Sequence, residues 1–315
     1  MENIVFLDSA TVIADLRRPA FAHEWNEYPA TAPDQVVERL HNAAIAITNK
    51  VQLRRDMLEQ LPHLKLIAVA ATGTDNVDLA CCRERGIAVS NIRNYSVHTV
   101  PEHVFMLMLA LRRNLLAFHA EVQRGEWQKS PQFCLFTHPV QDLHGSTLGI
   151  VGHGAIGRAV EQIARAFGMK VLLAEHKGAG AVREGYTAFD EVLERSEVIT
   201  LHLPLNDATR HLIGEAEFSR MKPEALLINT ARGGLVDEVA LRVALLSGRI
   251  AGAGFDVLAT EPPADGHPLL ALDLPNFILT PHIAWSGRAA MQILADQLID
   301  NIEAFAAGAP QNRVA

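Results

Sequence analysis

Residues 146–175 read STLGIVGHGAIGRAVEQIARAFGMKVLLAE, and the order of signals in this stretch decides the fold. An apolar run at 148–151 is followed at once by Gly152, Gly154 and Gly157 in the pattern G-x-G-x-x-G. A stretch of helical periodicity at 155–167 comes next, then a second apolar run at 171–174. A strand–turn–helix–strand unit of this kind binds the pyrophosphate of a dinucleotide. Gly152 permits the tight turn, Gly154 lets the phosphates approach the backbone, and Gly157 lets the helix pack closely on the strand. His153, Ala155 and Ile156 fill the remaining positions, and the N–H groups at the helix start hold the phosphates. Glu175 ends the second strand, near the separation from the first glycine at which such a unit carries its acid. A carboxylate there accepts hydrogen bonds from both hydroxyls of a ribose and repels a 2'-phosphate, which favours NAD(H) over NADP(H). His176 and Lys177 next to it pull the other way. The plainer alternative is a glycine-rich packing turn with a solvated glutamate behind it.

Working outward toward the C-terminus, further strands are expected at 198–201, 226–229, 254–257 and 278–280, with helices at 188–194, 215–221 and 237–247. Six short apolar runs with helical spacers make a doubly wound parallel sheet. After Ser286 a long amphipathic helix is expected to about Ala307, of a kind that packs back onto the first domain. Toward the N-terminus, PEHVFMLMLALRR at 101–113 reads as a helix opened by Pro101, with Glu102 at its positive end and Arg112 and Arg113 at its far end. Residues 118–146 are less regular, and Trp127, Phe133 and Phe136 stand there among polar residues. Either an arm over a partner subunit or an internal flap accounts for them.

The N-terminal stretch, 1–99, alternates strands at 4–7, 44–48, 66–70 and 87–90 with helices at 34–40, 54–61 and 77–85. An irregular stretch carrying Trp25 and Tyr28 follows the first strand. Apolar strands separated by helices mean a parallel sheet covered on both faces. The expected architecture is α/β, with two Rossmann-like or flavodoxin-like domains. A doubly wound NAD-binding domain at 100–286 is inserted in a smaller discontinuous substrate domain at 1–99 plus 287–315.

The 315 residues suit about two domains, and 49% hydrophobic against 20% charged residues is an ordinary globular composition. The 28 basic against 36 acidic residues, a formal net charge of -8, argue against nucleic acid as the main partner. Cys81, Cys82 and Cys134 have neither disulfide nor zinc spacing. No apolar stretch is long enough to span a bilayer, and MENIVFLDSA lacks the basic start of a secretory signal, so a cytoplasmic protein with no membrane contact is expected.

Ligands of a doubly wound domain sit at the C-terminal ends of its strands. That rule selects HLPLNDATRH around Pro204, INTARGGLVDE around Thr230, Ala231 and Arg232, GFDVLATEPP around Asp256, and TPHIAWSG around His282. The Arg232 guanidinium can grip a carboxylate through paired donors and polarise a neighbouring carbonyl. Gly233 and Gly234 leave room beside it, and a surface or helix-capping arginine is the alternative. Asp256 is placed to hold a nicotinamide carboxamide, or simply to end its strand. His282 can give a proton to the alkoxide formed as a carbonyl carbon receives hydride, with Glu261 as the carboxylate that steadies it. A merely capping histidine is the alternative, no ligand cluster points to a metal, and no nucleophile elbow is present.

These motifs resemble those of the D-isomer-specific 2-hydroxyacid dehydrogenase family over essentially the whole chain. The pieces are ATGTDNVDL at 71–79, TVPEHVFMLMLALRR at 99–113, LGIVGHGAIG at 148–157, LHLPLNDATRHLIG at 201–214, LLINTARGGLVDEVAL at 226–241, GAGFDVLATEPP at 252–263 and TPHIAWSG at 280–287. The resemblance implies a homodimer that uses NAD(H), less readily NADP(H), and no metal. It implies Arg232, Glu261 and His282 as the catalytic residues, and the Thr72 and Gly73 amides, with Arg232, as substrate-carboxylate donors. It places Thr230, Asp256 and Ala284 near the nicotinamide, and Glu175 and Pro204 near the adenosine. Glu175 departs from the family's commoner aspartate but keeps the charge. Glutamate at 261 differs from the glutamine of the family's formate dehydrogenases.

HIAW at 282–285 and FCLFTHP at 133–139 resemble most the bacterial glycerate dehydrogenase branch, the hydroxypyruvate reductases. For that branch Trp285 would wall the pocket beside the substrate's C3 end, unless it merely packs under the last helix. Lys50, in the Asn49–Lys50–Val51 loop, is a further candidate for the same pocket. The implied reaction is reversible reduction of hydroxypyruvate to D-glycerate with NADH. A broader reductase of glyoxylate or other 2-keto acids, using NADPH or not, is one alternative. An NAD-binding interaction protein with vestigial activity is another.

Overall fold

The computed structural model describes residues 1–315, which divide into two compact units, Met1–Ser96 with Ser286–Ala315 and Val97–Trp285. In the first unit the strands are β1 (Glu2–Phe6), β2 (His23–Glu27), β3 (Ile45–Thr48), β4 (Leu66–Val69) and β5 (Ala88–Ser90). The helices among them are α1 (Val36–Leu40), α2 (Arg55–Leu58) and α3 (Leu79–Arg85). All strand pairs are parallel, in the order β2-β1-β3-β4-β5. This is the flavodoxin-like doubly wound order, whose switch point falls between β1 and β3. Both β3 and β4 are buried along their full length, which is why their sequences IAIT and LIAV run apolar rather than alternating.

The stretch read from sequence as irregular contains β2. Its sequence HEWNE has no apolar periodicity because it is an edge strand of half-buried and exposed residues, paired only to β1. Helix α3 starts where the Asp78 carboxylate accepts from the Cys81 N–H at 2.8 Å. It stops at Gly86, whose φ of 71° suits glycine. At the other edge of the sheet, residues 313–315 lie against β5. The Val314 N–H donates to the Val89 carbonyl at 2.8 Å, and Ser90 bridges antiparallel to Arg313. The chain's own end thus covers an otherwise open edge.

The second unit runs α4 (Thr99–Arg112), α5 (Leu115–Gln123), β6 (Thr147–Val151), α6 (Ala155–Ala166), β7 (Lys170–Leu173), α7 (Phe189–Arg195) and β8 (Val198–Leu201). It continues with α8 (Glu215–Arg220), β9 (Leu226–Asn229), α9 (Glu238–Leu246), β10 (Gly252–Phe255) and β11 (Phe277–Leu279). Its six parallel strands are ordered β11-β10-β9-β8-β6-β7, so the direction of winding reverses between β6 and β8. One face packs on α7, α8 and α9 through Val192, Leu193, Phe218, Leu241 and Leu245. The other packs on α4 and α6 through Val104, Leu107, Leu111, Val160 and Ala164. Each large aliphatic side chain so buried contributes about 1.5–3 kcal/mol.

Part of the region expected to be irregular, 118–146, is helical, since α5 runs to Gln123. Strand β10 spans Gly252–Phe255 rather than the expected 254–257, with Gly252 and Ala253 added at its start and Asp256 and Val257 beyond its end. A Cβ at Gly254 would lie 3.0 Å from Leu107 of α4, so the glycine marks a close helix–strand approach rather than a turn. The final helix, α10 (Arg288–Ala306), belongs to the first unit, where it packs against β4 through a buried Leu294, Leu298 and Ile302 stripe. The Asn301 amide donates to the Asn91 carbonyl at 3.0 Å. No helix is long and apolar enough to cross a membrane.

Candidate active site

The reversal between β6 and β8 opens a crevice at the C-terminal ends of those strands, and the loop after β6 is the glycine turn. Gly152 has φ 98°, and a Cβ there would meet the His202 carbonyl at 2.5 Å. A Cβ at Gly157 would meet the Gly152 carbonyl at 2.2 Å, which fixes how tightly α6 seats on the strand. Gly154, the residue capping α6, differs: a Cβ there would meet nothing within 4 Å. Two glycines are therefore required by packing, and the third faces open space at a helix N-terminus, where an anion is favoured. His153 is held by Glu161, at 2.6 Å from Nε2 to Oε2. Beside the turn, a cavity of about 360 Å³ is lined by His98, Glu102, Ala155, Arg158, Ala159 and Gln162 at the first turns of α4 and α6.

At the end of β9, Asn229 shapes the next loop. Its amide donates to the Arg232 carbonyl at 2.9 Å, and its carbonyl oxygen accepts from the Ala231 N–H at 3.1 Å. The Arg232 guanidinium donates to the Ala231 carbonyl at 2.7 Å. The glycines after it do not leave room, contrary to the sequence expectation. A Cβ on Gly233 would fall 1.9 Å from the Leu258 carbonyl carbon and 2.3 Å from the Ala259 nitrogen. The smallness of Gly233 lets the Arg232 loop press against the backbone that leads to Glu261, and a Cβ on Gly234 would meet the Leu205 side chain at 2.9 Å. Thr230 Oγ1 is buried and has no hydrogen-bond partner, an orphan donor of the kind that a bound group satisfies.

Glu261 Oε1 accepts from the Leu258 N–H at 2.8 Å, which leaves Oε2 for His282 Nδ1 at 2.5 Å. A carboxylate only accepts, so the Nδ1 proton lies toward Glu261 and Nε2 is the nitrogen available for chemistry. Both side chains are partly open, His282 by 23% and Glu261 by 33%. His282 sits at φ 55°, a backbone state that costs an imidazole-bearing residue on the order of 1–2 kcal/mol.

Asp256, buried at the end of β10, holds that conformation. It accepts from the Ile283 N–H at 3.0 Å, the Ala284 N–H at 2.8 Å and Thr280 Oγ1 at 2.5 Å. Trp285 also serves this loop. Its Nε1 donates to the His282 carbonyl at 2.9 Å, and its ring packs on the α4 side of the core.

Sequence reasoning missed the face of α4 behind this loop. Thr99 donates to the Ala284 carbonyl at 3.1 Å, and His103, one turn on, meets Thr280 Oγ1 through Nε2 at 2.9 Å. Because the Thr280 hydroxyl donates to Asp256, the proton of His103 is assigned to Nε2, completing a chain His103–Thr280–Asp256. Burial pushes the His103 imidazole below its ordinary pKa. The available signal was two polar residues at i and i+4 on an otherwise apolar helix face.

At the end of β7, Glu175 is buried and already saturated. Its Oε1 accepts from the His176 N–H at 2.9 Å and Arg183 Nη2 at 2.7 Å. Its Oε2 accepts from Arg183 Nε at 2.6 Å and the Arg183 N–H at 3.1 Å. The guanidinium holds its carboxyl well below the usual range. Arg183 carries no motif and was not singled out from sequence. Pro204 lies in the loop after β8, its carbonyl accepting from Thr209 Oγ1 at 2.8 Å.

Thr72, Gly73 and Lys50 belong to the first unit. Thr72 follows β4 and is anchored through Oγ1 to the Ile92 carbonyl at 2.7 Å. The Lys50 N–H, with those of Asn49 and Val51, donates to the buried Asp8 carboxylate, another partner the sequence did not disclose.

An open-faced glycine turn at a helix N-terminus, a buried orphan hydroxyl and an Nδ1-anchored imidazole together fit a nicotinamide dinucleotide and a proton-transfer partner. They define a dinucleotide-dependent oxidoreductase class. Comparison with known proteins narrows it. The model of the D-isomer specific 2-hydroxyacid dehydrogenase NAD binding domain matches residues 105–284. The chain is 54% identical over 314 residues to a glycerate dehydrogenase of Methylorubrum extorquens, covering 99% of each. It is 36% identical to a hydroxypyruvate reductase of Blautia hydrogenotrophica, over 90% of this chain and 88% of that one. A solved acyclic imino acid reductase in complex with NADPH and D-arginine superposes with a TM-score of 0.85 at 29% identity, over 99% of this chain and 100% of that one. The chain belongs to the D-isomer specific 2-hydroxyacid dehydrogenase family.

Proposed function

We propose that this protein is an NAD-dependent D-2-hydroxyacid dehydrogenase acting as a glycerate dehydrogenase, which reduces hydroxypyruvate to D-glycerate with NADH. The observation that carries the chemistry is the His282–Glu261 pair at 2.5 Å beside the Arg232 loop. The 54% identity to a glycerate dehydrogenase carries the substrate.

In this reading the second unit is the cofactor domain and the discontinuous first unit the substrate domain. Gly152, His153, Gly154, Ala155, Ile156 and Gly157 form the pyrophosphate turn. Thr230 and Ala231 serve the nicotinamide end. A bound nicotinamide supplies the hydride that reaches C2 of the keto acid. Arg232 grips the substrate carboxylate and polarises the ketone oxygen. His282, charged and oriented by Glu261, gives its Nε2 proton to that oxygen as the C2–H bond forms, and takes it back in the reverse direction. Asp256 acts on the reaction by fixing the backbone that carries His282. Thr72 and Gly73 are assigned to the substrate on the family resemblance, and Lys50 on its place in the loop after β3. Trp285 positions His282 through the carbonyl it holds.

The same resemblance supports a homodimer, and the exposed Phe133 and Phe136 of the segment after α5 suit an arm over the partner subunit; sedimentation velocity tests the assembly. The activity is tested by NADH oxidation with hydroxypyruvate, glyoxylate and pyruvate at matched concentrations. Preference for hydroxypyruvate is expected. Comparable rates on glyoxylate would replace the glycerate assignment with a broader keto-acid reductase.

A further inference from the structure

In a doubly wound nucleotide domain the acid after the second strand takes the ribose hydroxyls, and its charge repels a 2'-phosphate. Here that logic is interrupted. The Glu175 carboxylate is clamped by the Arg183 guanidinium through two bonds at 2.6 and 2.7 Å, so the pair carries no net charge. His176, mostly exposed, adds a ring nitrogen 2.9 Å from the same carboxylate. Lys177, the other cation of the segment, is occupied elsewhere by Glu217 at 2.8 Å and the Leu212 carbonyl at 3.2 Å.

Arg183 is held where it stands. Its guanidinium lies 4.0 Å over the Tyr186 ring, and Tyr186 meets the His153 ring of the phosphate turn edge-on at 6.4 Å. The loop from 176 to 186 is closed at its base, where Ala174 bridges Thr187 and the Glu175 N–H donates to the Thr187 carbonyl at 2.8 Å. The guanidinium directs only two of its N–H donors at Glu175, and the Arg183 side chain is more than half exposed. The remaining donors form the fork that a phosphate ester requires.

We propose that Arg183, rather than Glu175, decides between NADH and NADPH in this protein, and that the neutralised pair lets the second unit accept a 2'-phosphate as well as a free ribose. The inference rests on the dinucleotide reading of that unit, not on the choice of keto acid. The same carboxylate without its guanidinium would act as the repelling acid the sequence suggests.

The test needs no turnover. Calorimetric titration of the full chain with 5'-AMP and with 2',5'-ADP, the adenosine ends of NADH and NADPH, reads the selection directly. The wild type is expected to bind the two within about tenfold of each other. Arg183→Gln should weaken 2',5'-ADP by about tenfold or more while changing 5'-AMP less than about threefold. Arg183→Lys, which keeps the charge and loses the fork, should fall between. Binding of 2',5'-ADP more than about a hundredfold weaker than 5'-AMP in the wild type would overturn the proposal, as would an unchanged ratio in Arg183→Gln. Failure of both nucleotides to bind would overturn the dinucleotide reading and this inference with it. An absence of hydroxypyruvate reduction alongside the expected ratios would sink only the proposed substrate.

Discussion

In the first unit the loops after β1 and β3 are closed by a buried carboxylate, Asp8, which takes the N–H groups of Asn49, Lys50 and Val51. In the second unit the corresponding strand ends are left less settled. His282 stands at positive φ, Thr230 Oγ1 has no partner, and Gly154 borders open space. The two sheets are alike in being all-parallel and doubly wound, so architecture does not separate them. What differs is which strand ends are closed internally. In the first unit the ends of β1 and β3 complete their hydrogen bonds on Asp8, while Ser90 Oγ at the end of β5 is buried without a partner. In the second unit the unsettled groups gather after β9 and β11 and at the glycine turn, and such states persist only where the surrounding packing over-determines them.

That contrast breaks most readily at His282. His282→Ala should lower turnover by about 10²–10⁴-fold, the usual worth of a general acid, while NADH affinity by fluorescence titration stays near wild type. Near-normal turnover would move the chemistry away from this strand end. The first unit should answer in a different quantity: Asp8→Ala strands three donors and should cost about 1–3 kcal/mol in urea unfolding, with binding of NADH unchanged. A loss of NADH affinity there would erase the distinction between the units.

The acid–base pair sharpens the comparison further. Transfer from Nε2 needs the Nδ1–H held by an acceptor, and the Glu261 carboxylate is that acceptor. Glu261→Gln should therefore lower kcat by about tenfold, with NADH affinity by fluorescence titration near wild type; an unchanged kcat would count against the pairing. The smallest effect belongs to the brace behind the loop. His103→Leu removes one buried hydrogen bond from the Thr280–Asp256 chain and should lower kcat about fivefold, equivalent to roughly 1 kcal/mol. His103→Gln, which restores a donor, should recover part of it, and equal losses in both variants would point to packing instead.

Much of this site was legible along the chain because its signals are local. Gly152, Gly154 and Gly157 share one short turn, and Arg232, Asp256, Glu261 and His282 each follow an apolar run that marks a strand end. Strand β2 was not legible, since an edge strand paired on one side needs no apolar repeat. Nor was the reason for Gly233, which answers to the Leu258–Ala259 backbone beyond the next strand rather than to any need of Arg232.

The sequence by itself determined the α/β class, the dinucleotide turn, the order of the strand-end residues and the family, since each is written in short-range spacing and residue type. Only the tertiary structure decided the state of those residues. It set Arg183 on Glu175, turned Nδ1 of His282 to Glu261, and ran a hydrogen-bond chain from His103 to Asp256. Charge and hydrogen-bond satisfaction depend on which groups meet within about 3 Å, and the partners lie 8, 21 and 177 residues apart along the chain, at separations that no local spacing rule announces.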